Sequence, residues 1–241
     1  MTMSTQKSQT LKNISFFQNF SDEAIGLLHE QAQTIELKKG KMLFFNEDKA
    51  DRFYLVTHGW VKLYRETIEG AQSIIDILTI NHIFGETAIF QDDTFPFSAE
   101  AAEDTTVISL PLSILKSEIE NNQKFAMDMM KSMARYRKQQ DQEIENRTLK
   151  NASQRIGCFL LRLVDQKQVN EAIIKLPYDK TLLASRLGMQ PETFSRALNK
   201  LKNQINMDVK GGEIRISNIQ DLTDYVCSVC SSEFPCHDMN I

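Results

Sequence analysis

Hydrophobic and polar positions change their period several times along the chain. Between residues 11 and 32, Ile25, Leu27 and Leu28 gather on one side, with Ser21 placed to cap and Asp22 and Glu23 in the first turn, so a helix is predicted. From Gln33 to Leu110 the pattern shortens. Runs rich in β-branched and aromatic residues appear at 42–45, 53–56, 60–64, 73–78, 98–102 and 106–110. Turn signals at Gly40, His58-Gly59, Glu69-Gly70 and Asp92-Asp93 separate them. Many short strands at this spacing predict a sandwich or a roll closed on itself. From Leu112 to about Leu149 the spacing is helical. Phe125, Met129, Met133, Tyr136, Gln140 and Ile144 recur every three or four residues, while Lys131, Arg135, Lys138, Glu143 and Glu145 occupy the other faces. Such a stripe fits either a seam with a second copy or a helix lying on its own domain, and different positions can do different things. Ile156, Phe159, Leu160 and Leu163 predict a further amphipathic helix over 152–166.

Residues 181–201 then read as two short helices joined by a tight turn. Ala184 is small enough for a helix crossing, and Gly188 follows where the turn needs positive φ. Leu183, Leu187, Phe194 and Leu198 form the shared apolar face. Pro191 suits a first helical turn, where its missing N–H costs nothing. This leaves Glu192, Ser195 and Arg196 on one face near the start of the second helix. A recognition helix touches base edges with its N-terminal residues; arginine can pair with guanine N7 and O6, and glutamate can accept from cytosine N4. The plainer reading is a helical hairpin with solvated polar residues. Residues 209–216 favour the first. They predict a β-hairpin turning at Gly211-Gly212, with Ile214 and Ile216 alternating, and a helix-turn-helix followed by a small hairpin is a winged helix. Lys210 and Arg215 on the hairpin, with Gln190, Thr193 and Lys200 around the recognition helix, are the expected phosphate contacts.

The fold class expected is thus α+β. A β-roll covers 11–111, a long helical region 112–149, and a winged helix-turn-helix 150–226, followed by a cysteine-rich tail over 227–241. At 41% hydrophobic and 25% charged residues the composition is ordinary for a globular chain. No run has the apolar length of a membrane span, and residues 1–10 lack an apolar signal core, so the expectation is a cytoplasmic protein without a membrane partner. A net charge of −4 looks wrong for a DNA binder until it is divided. Residues 152–226 carry 11 Lys+Arg against 8 Asp+Glu, a net +3, whereas residues 1–151 carry 17 against 22. The positive share sits where phosphate attraction needs it. No nucleophile–base arrangement or histidine-rich metal set is visible in the roll, so an enzyme is not expected.

Three of the four cysteines, Cys227, Cys230 and Cys236, lie in the last fifteen residues and are followed by His237. That spacing supplies soft ligands able to wrap a metal, zinc or an iron–sulfur cluster. In a cytosolic protein such a cluster points to metal or redox chemistry rather than a structural disulfide. Cys158 is expected in the core. His29, His58 and His82 are the candidate haem ligands, and none stands out.

Roll, long helix and winged helix in this order resemble the CRP/FNR family of dimeric bacterial transcription regulators over residues 11–226. In the roll the resemblance rests on Gly40, Phe53-Tyr54-Leu55-Val56, Gly59-Trp60-Val61-Lys62 and Phe84-Gly85-Glu86. In the DNA-binding part it rests on Leu149-Lys150-Asn151-Ala152, Gln154-Arg155 and Gln190-Pro191-Glu192-Thr193-Phe194-Ser195-Arg196. It implies a homodimer on double-stranded DNA, with RNA polymerase as a partner if the regulator activates. Glu192, Ser195 and Arg196 match the Glu-x-x-Ser-Arg pattern that accompanies FNR-type half-sites of the TTGAT kind. The stretches around Ala152 and Pro191 resemble the Dnr/Nnr branch, which implies a nitric-oxide signal read through haem. Cyclic-AMP binders place an arginine and a serine after the Phe-Gly-Glu turn; here Phe97 precedes Ser98, so the cation is missing and cyclic AMP is not expected. Phe90, Phe95 and Phe97 form either an apolar pocket or core. FNR's N-terminal cysteine cluster has no counterpart in residues 1–50. One Gram-positive FNR branch carries a C-terminal cysteine triplet that holds an iron–sulfur cluster with a fourth ligand from the long helix, a part that Asp141 or Glu145 would take here, unless His237 does.

Overall fold

A computed structural model describes residues 11–164, 170–176 and 179–228. The chain divides into two compact units between Ala134 and Arg135.

The first unit opens with a 3-10 turn, Ser15–Phe17, and helix α1, Asp22–Gln31. Ser21 caps α1 as expected: its Oγ accepts from the Ala24 N–H at 3.2 Å. A residue far along the chain completes the cap. Glu118 is buried, and its carboxylate accepts from the Ser21 N–H at 2.7 Å and from the Ser21 hydroxyl at 2.8 Å. Eight strands follow: β1 Gln33–Leu37, β2 Met42–Phe44, β3 Arg52–His58, β4 Val61–Glu66, β5 Gln72–Leu78, β6 Ile83–Phe84, β7 Ser98–Ala101 and β8 Thr105–Pro111. They form two antiparallel sheets, ordered β1-β8-β3-β6 and β2-β7-β4-β5. Phe53, Leu55, Val61, Leu63, Ala99, Val107 and Leu110 all enter one buried core. Two strands go beyond the sequence expectation. β1 has only Ile35 and Leu37 as apolar residues, and β6 is two residues long.

The long helical region is two helices. Helix α2, Leu112–Asn121, stops at Asn122, whose backbone is extended (φ −120°, ψ 91°). Helix α3, Gln123–Leu149, starts at once, with the Asn122 side-chain oxygen accepting from the Phe125 N–H at 3.1 Å. The stripe expected to face a second copy is corrected at its beginning. Phe125 and Met129 are 2% and 5% exposed and belong to the core of the first unit. The Phe125 ring meets Phe20 at 4.4 Å and Phe16 at 5.8 Å between centroids. An aromatic socket made by the N-terminal turn takes the surface that a partner would have covered. Met127, Met130, Met133, Tyr136 and Ile144 are exposed instead.

In the second unit, helix α4, Ala152–Leu163, begins in a capping box: the Asn151 side chain accepts from the Gln154 N–H and the Gln154 side chain from the Asn151 N–H, both at 3.1 Å. Helices α5, Lys180–Arg186, and α6, Pro191–Gln204, follow, then α7, Ile219–Cys227. Strands β9, Ala172–Lys175, β10, Met207–Lys210, and β11, Glu213–Ile216, form a sheet ordered β10-β11-β9. The sequence expectation lacked β9, which adds a third strand to the hairpin. Its Ala172 and Ile174 are buried beside Ile214 and Ile216. Gly157 marks the close crossing of α4 and α7, because a Cβ there would run into Val226 and stand 3.0 Å from Leu222 Cδ1.

Candidate nucleic-acid interface

The two-helix element forms as its sequence requires. Asp179 caps α5 by accepting from the Thr181 and Leu182 N–H groups. Gly188 takes φ +62°, which only glycine adopts freely, and turns the chain toward α6. Pro191 opens α6. Leu183, Ala184, Phe194, Ala197, Leu198 and Leu201 are buried, so the packing face of α6 is fixed, and Leu187 is partly buried beside it.

The opposite face is thereby presented to solvent. Glu192 and Arg196 are exposed and Ser195 is partly buried. Gln190 makes no side-chain cap bond, so the N–H groups of the first turn and the positive end of the helix dipole stay open toward an anion. Gln190 and Lys200 are exposed and Thr193 is partly buried. Lys210 ends β10 at the hairpin, whose Gly211 and Gly212 both have positive φ, 60° and 86°. Arg215 is exposed between buried Ile214 and Ile216, and its Nε donates to Glu213 at 2.7 Å. A phosphate has to compete with Glu213 for that guanidinium, though an exposed pair is worth no more than about 1 kcal/mol.

One group of charges escaped the sequence reading. Glu143, in α3, accepts from Arg162 of α4 and from both terminal nitrogens of Arg186 at the end of α5. Burial works against its charge, and the two arginines overcome that and hold its carboxyl below the usual range. Nothing local in the sequence signals this cluster, because Glu143 and Arg186 are 43 residues apart.

In the roll, the Phe84-Gly85-Glu86 turn has Gly85 at φ +84°. Phe44 and Phe95 stack at 3.6 Å between centroids, and Tyr54, Phe84 and Phe97 surround Phe44 at 5.5, 6.1 and 6.1 Å. Phe95 is core, Phe97 is partly buried, and Phe90 is exposed, so the three phenylalanines do not line one pocket. Desolvation pushes the Glu86 carboxyl up to about 7, offset slightly by its own backbone N–H.

Cys230, Cys236 and His237 lie outside the described residues. Cys227 sits partly buried at the end of α7, and Asp141 is paired with Arg137 at 3.3 Å. Glu145 is partly buried on α3. Cys158 is not core as expected: it is partly exposed in a groove between helices, with Asn146 Nδ2 3.9 Å from its sulfur. His29 lies in the last turn of α1, His58 is exposed at the end of β3, and the His82 ring lies 3.0 Å from the Thr79 carbonyl. Among the described residues no three His, Cys, Asp or Glu side chains converge as a metal site. Nor is any helix among them long and apolar enough to cross a membrane.

Comparison with known proteins matches both units. Residues 34–122 fit the cyclic nucleotide-binding domain, and residues 154–225 fit the Crp-like helix-turn-helix domain. The chain is 23% identical over 217 residues to the CRP-like cAMP-activated global transcriptional regulator of Mycobacterium tuberculosis, covering 89% of this chain and 97% of that one. A putative cyclic nucleotide binding protein from Ruegeria pomeroyi has a crystal structure similar to this one, with TM-score 0.70 and 28% identity over 93% and 99% of the two chains. The structure of DNR from Pseudomonas aeruginosa is similar at TM-score 0.52 and 27% identity, over 92% and 98%. With a roll of the first family, a winged helix of the second and Glu192, Ser195 and Arg196 in a Glu-x-x-Ser-Arg pattern on α6, the chain belongs to the CRP/FNR family of DNA-binding transcriptional regulators.

Proposed function

We propose that the protein acts as a homodimer that reads two DNA half-sites of the TTGAT kind and regulates transcription in the cytoplasm under a redox or gas signal. The observation that carries the DNA reading is the face with exposed Glu192 and Arg196 and partly buried Ser195 beside the open start of α6. In this reading Arg196 pairs with a guanine, Glu192 accepts from a cytosine, and Ser195 completes the edge contacts. Gln190, Thr193, Lys200, Lys210 and Arg215 hold the phosphates and set the register. The exposed part of α3, from Met130 through Met133, Tyr136 and Gln140 to Ile144, supplies the seam. RNA polymerase is the further partner if the regulator activates.

Duplex-binding measurements test this directly. Arg196→Ala is expected to cost roughly 1–3 kcal/mol and to relax preference at one base pair. Lys210→Ala is expected to weaken all duplexes alike and to lower the salt dependence by about one counterion. An Arg196→Ala protein with its preference for TTGAT-type sites intact would move the reading face elsewhere.

The signal is read from the tail and from the likeness to DNR. Cys227, Cys230 and Cys236 offer thiolates that iron–sulfur clusters and zinc both accept, with Asp141, Glu145 or His237 as a fourth donor. A haem in the roll is the competing nitric-oxide sensor. The triple Cys→Ser protein, purified without oxygen, separates them: loss of the metal and of DNA affinity supports the tail, and unchanged metal content and affinity exclude it. The name of the Mycobacterium tuberculosis relative favours a second signal, cyclic AMP. Phe97 opposes it, because it stands where cyclic-AMP binders carry the arginine that holds the cyclic phosphate. Unchanged DNA affinity on adding cyclic AMP is the expected result.

A further inference from the structure

Three helices of the second unit meet at one carboxylate. Glu143 Oε1 accepts from Arg162 Nη1 at 2.7 Å and from Arg186 Nη2 at 2.7 Å, while Oε2 accepts from Arg186 Nη1 at 3.0 Å. Arg186 therefore grips the carboxylate with both prongs of its fork, the geometry that fixes direction as well as distance. Arg186 is also the last residue of α5 and only 8% exposed. A second arginine holds the same helix end: Arg155 Nη1 donates to the Leu187 carbonyl at 3.2 Å. Four residues separate Arg186 from Pro191, the first residue of α6. So short a connection, turning at Gly188, hands the orientation of the α5 terminus directly to the recognition helix.

The carboxylate is not part of the apolar packing that holds the winged helix together. That packing runs through the buried Leu160, Leu183, Phe194, Leu201, Ile214 and Leu222. What Glu143 adds is charge balance and direction. Without it, Arg162 and Arg186 lose the carboxylate they share, and the second of them is the buried anchor of the α5 terminus.

We propose that Glu143 is a positioning residue for base readout: through Arg186 and Arg162 it sets the end of α5, and so the start of α6, at the angle where Glu192, Ser195 and Arg196 reach base edges. This rests on the DNA-reading function proposed above. Phosphate contacts tolerate small tilts, whereas two-pronged hydrogen bonds to a base do not. A misplaced α6 therefore loses sequence preference before it loses attraction to DNA.

The experiment compares the full chain with its Glu143→Gln variant and with the charge-swapped Glu143→Arg/Arg186→Glu variant. Each is titrated at one salt concentration with a duplex carrying two TTGAT-type half-sites and with a scrambled duplex. Glu143→Gln is expected to bind the site at least tenfold more weakly while its affinity for the scrambled duplex changes less than twofold. The swapped protein, with attraction restored in the reverse sense, is expected to recover at least threefold of that loss. An unchanged site affinity in Glu143→Gln overturns the proposal. So does an equal loss on both duplexes, which marks a purely structural role, and so does a swapped variant no better than Glu143→Gln. If Glu143→Gln melts below the assay temperature, Arg186→Lys, which keeps the charge and loses the fork, is judged by the same thresholds. A parent protein that does not distinguish the duplexes overturns the DNA reading itself, and this inference with it; a parent that does, beside a Glu143→Gln variant that does so equally well, overturns this inference alone.

Discussion

At the scale of single residues, Glu86 shows how burial becomes a dependence on pH. Its carboxyl is pushed from the usual 4.5 to about 7, chiefly by desolvation. The folded chain therefore keeps this proton where the unfolded chain has already released it. Stability is highest below pH 4.5 as far as this group is concerned, falls between 4.5 and about 7, and levels off above. Glu86→Gln, which cannot ionise, removes that slope. Its melting temperature is expected to exceed the parent's at pH 8 and to match it near pH 4.5, with a gain at pH 8 of up to about 3 kcal/mol at roughly 1.4 kcal/mol per pKa unit. Thermal melts of both proteins across that range check the sign; a parent whose stability rises from pH 5 to 7 relative to Glu86→Gln contradicts it. Glu143 behaves in the opposite sense. Its carboxyl is held low despite burial, so its contribution is present above pH 4.5 and disappears only in more acidic solution.

Among the elements, the crossing of α4 and α7 depends on Gly157. Since a Cβ would strike Val226 and press on Leu222, Gly157→Val is expected to force the helices apart at a cost of about 1–3 kcal/mol. Chemical denaturation would register this as a lower midpoint at unchanged slope, and a midpoint equal to the parent's would mean that the crossing opens freely. The elements also show what a sequence can carry. Strands β3, β4, β5 and β8 were legible because β-branched and aromatic residues dominate them, and the turn at Gly188 because only glycine suits it. Strand β1 was not, since Gln33, Thr34 and Glu36 dilute its alternation, and β9 is only four residues long, too short to establish a period. The break at Asn122 left no mark on the apolar period, because the stripe resumes in phase at Phe125. In the candidate interface, the helix that carries Glu192, Ser195 and Arg196 was legible from Pro191 and the apolar spacing of Phe194, Leu198 and Leu201. Glu143, Arg162 and Arg186 were not, since ordinary charged residues on separate helices become a cluster only once the helices are packed.

At the scale of the whole molecule, what covers a stripe decides its use, and the sequence does not say what covers it. Phe125 and Met129 fall in the same stripe as Met133, yet the N-terminal aromatic turn claims the first two. The proposed seam therefore starts near Met130, which is 55% exposed. Met130→Glu/Met133→Glu places like charges across that seam and is expected to leave monomers in sedimentation velocity, where a full dimer would relocate the contact. The same burial limits how firmly two chains can hold each other. With Phe125 and Met129 committed to the core, α3 offers a partner a shorter stripe, which includes the polar Gln140 beside Met133, Tyr136 and Ile144. In the homodimer proposed above, mass action governs how many chains are paired, and pairing through this seam is expected to weaken on dilution. Occupancy of a two-half-site operator should climb with the square of the concentration of single chains until pairing saturates, so the amount of protein a cell makes becomes an input to the switch in its own right.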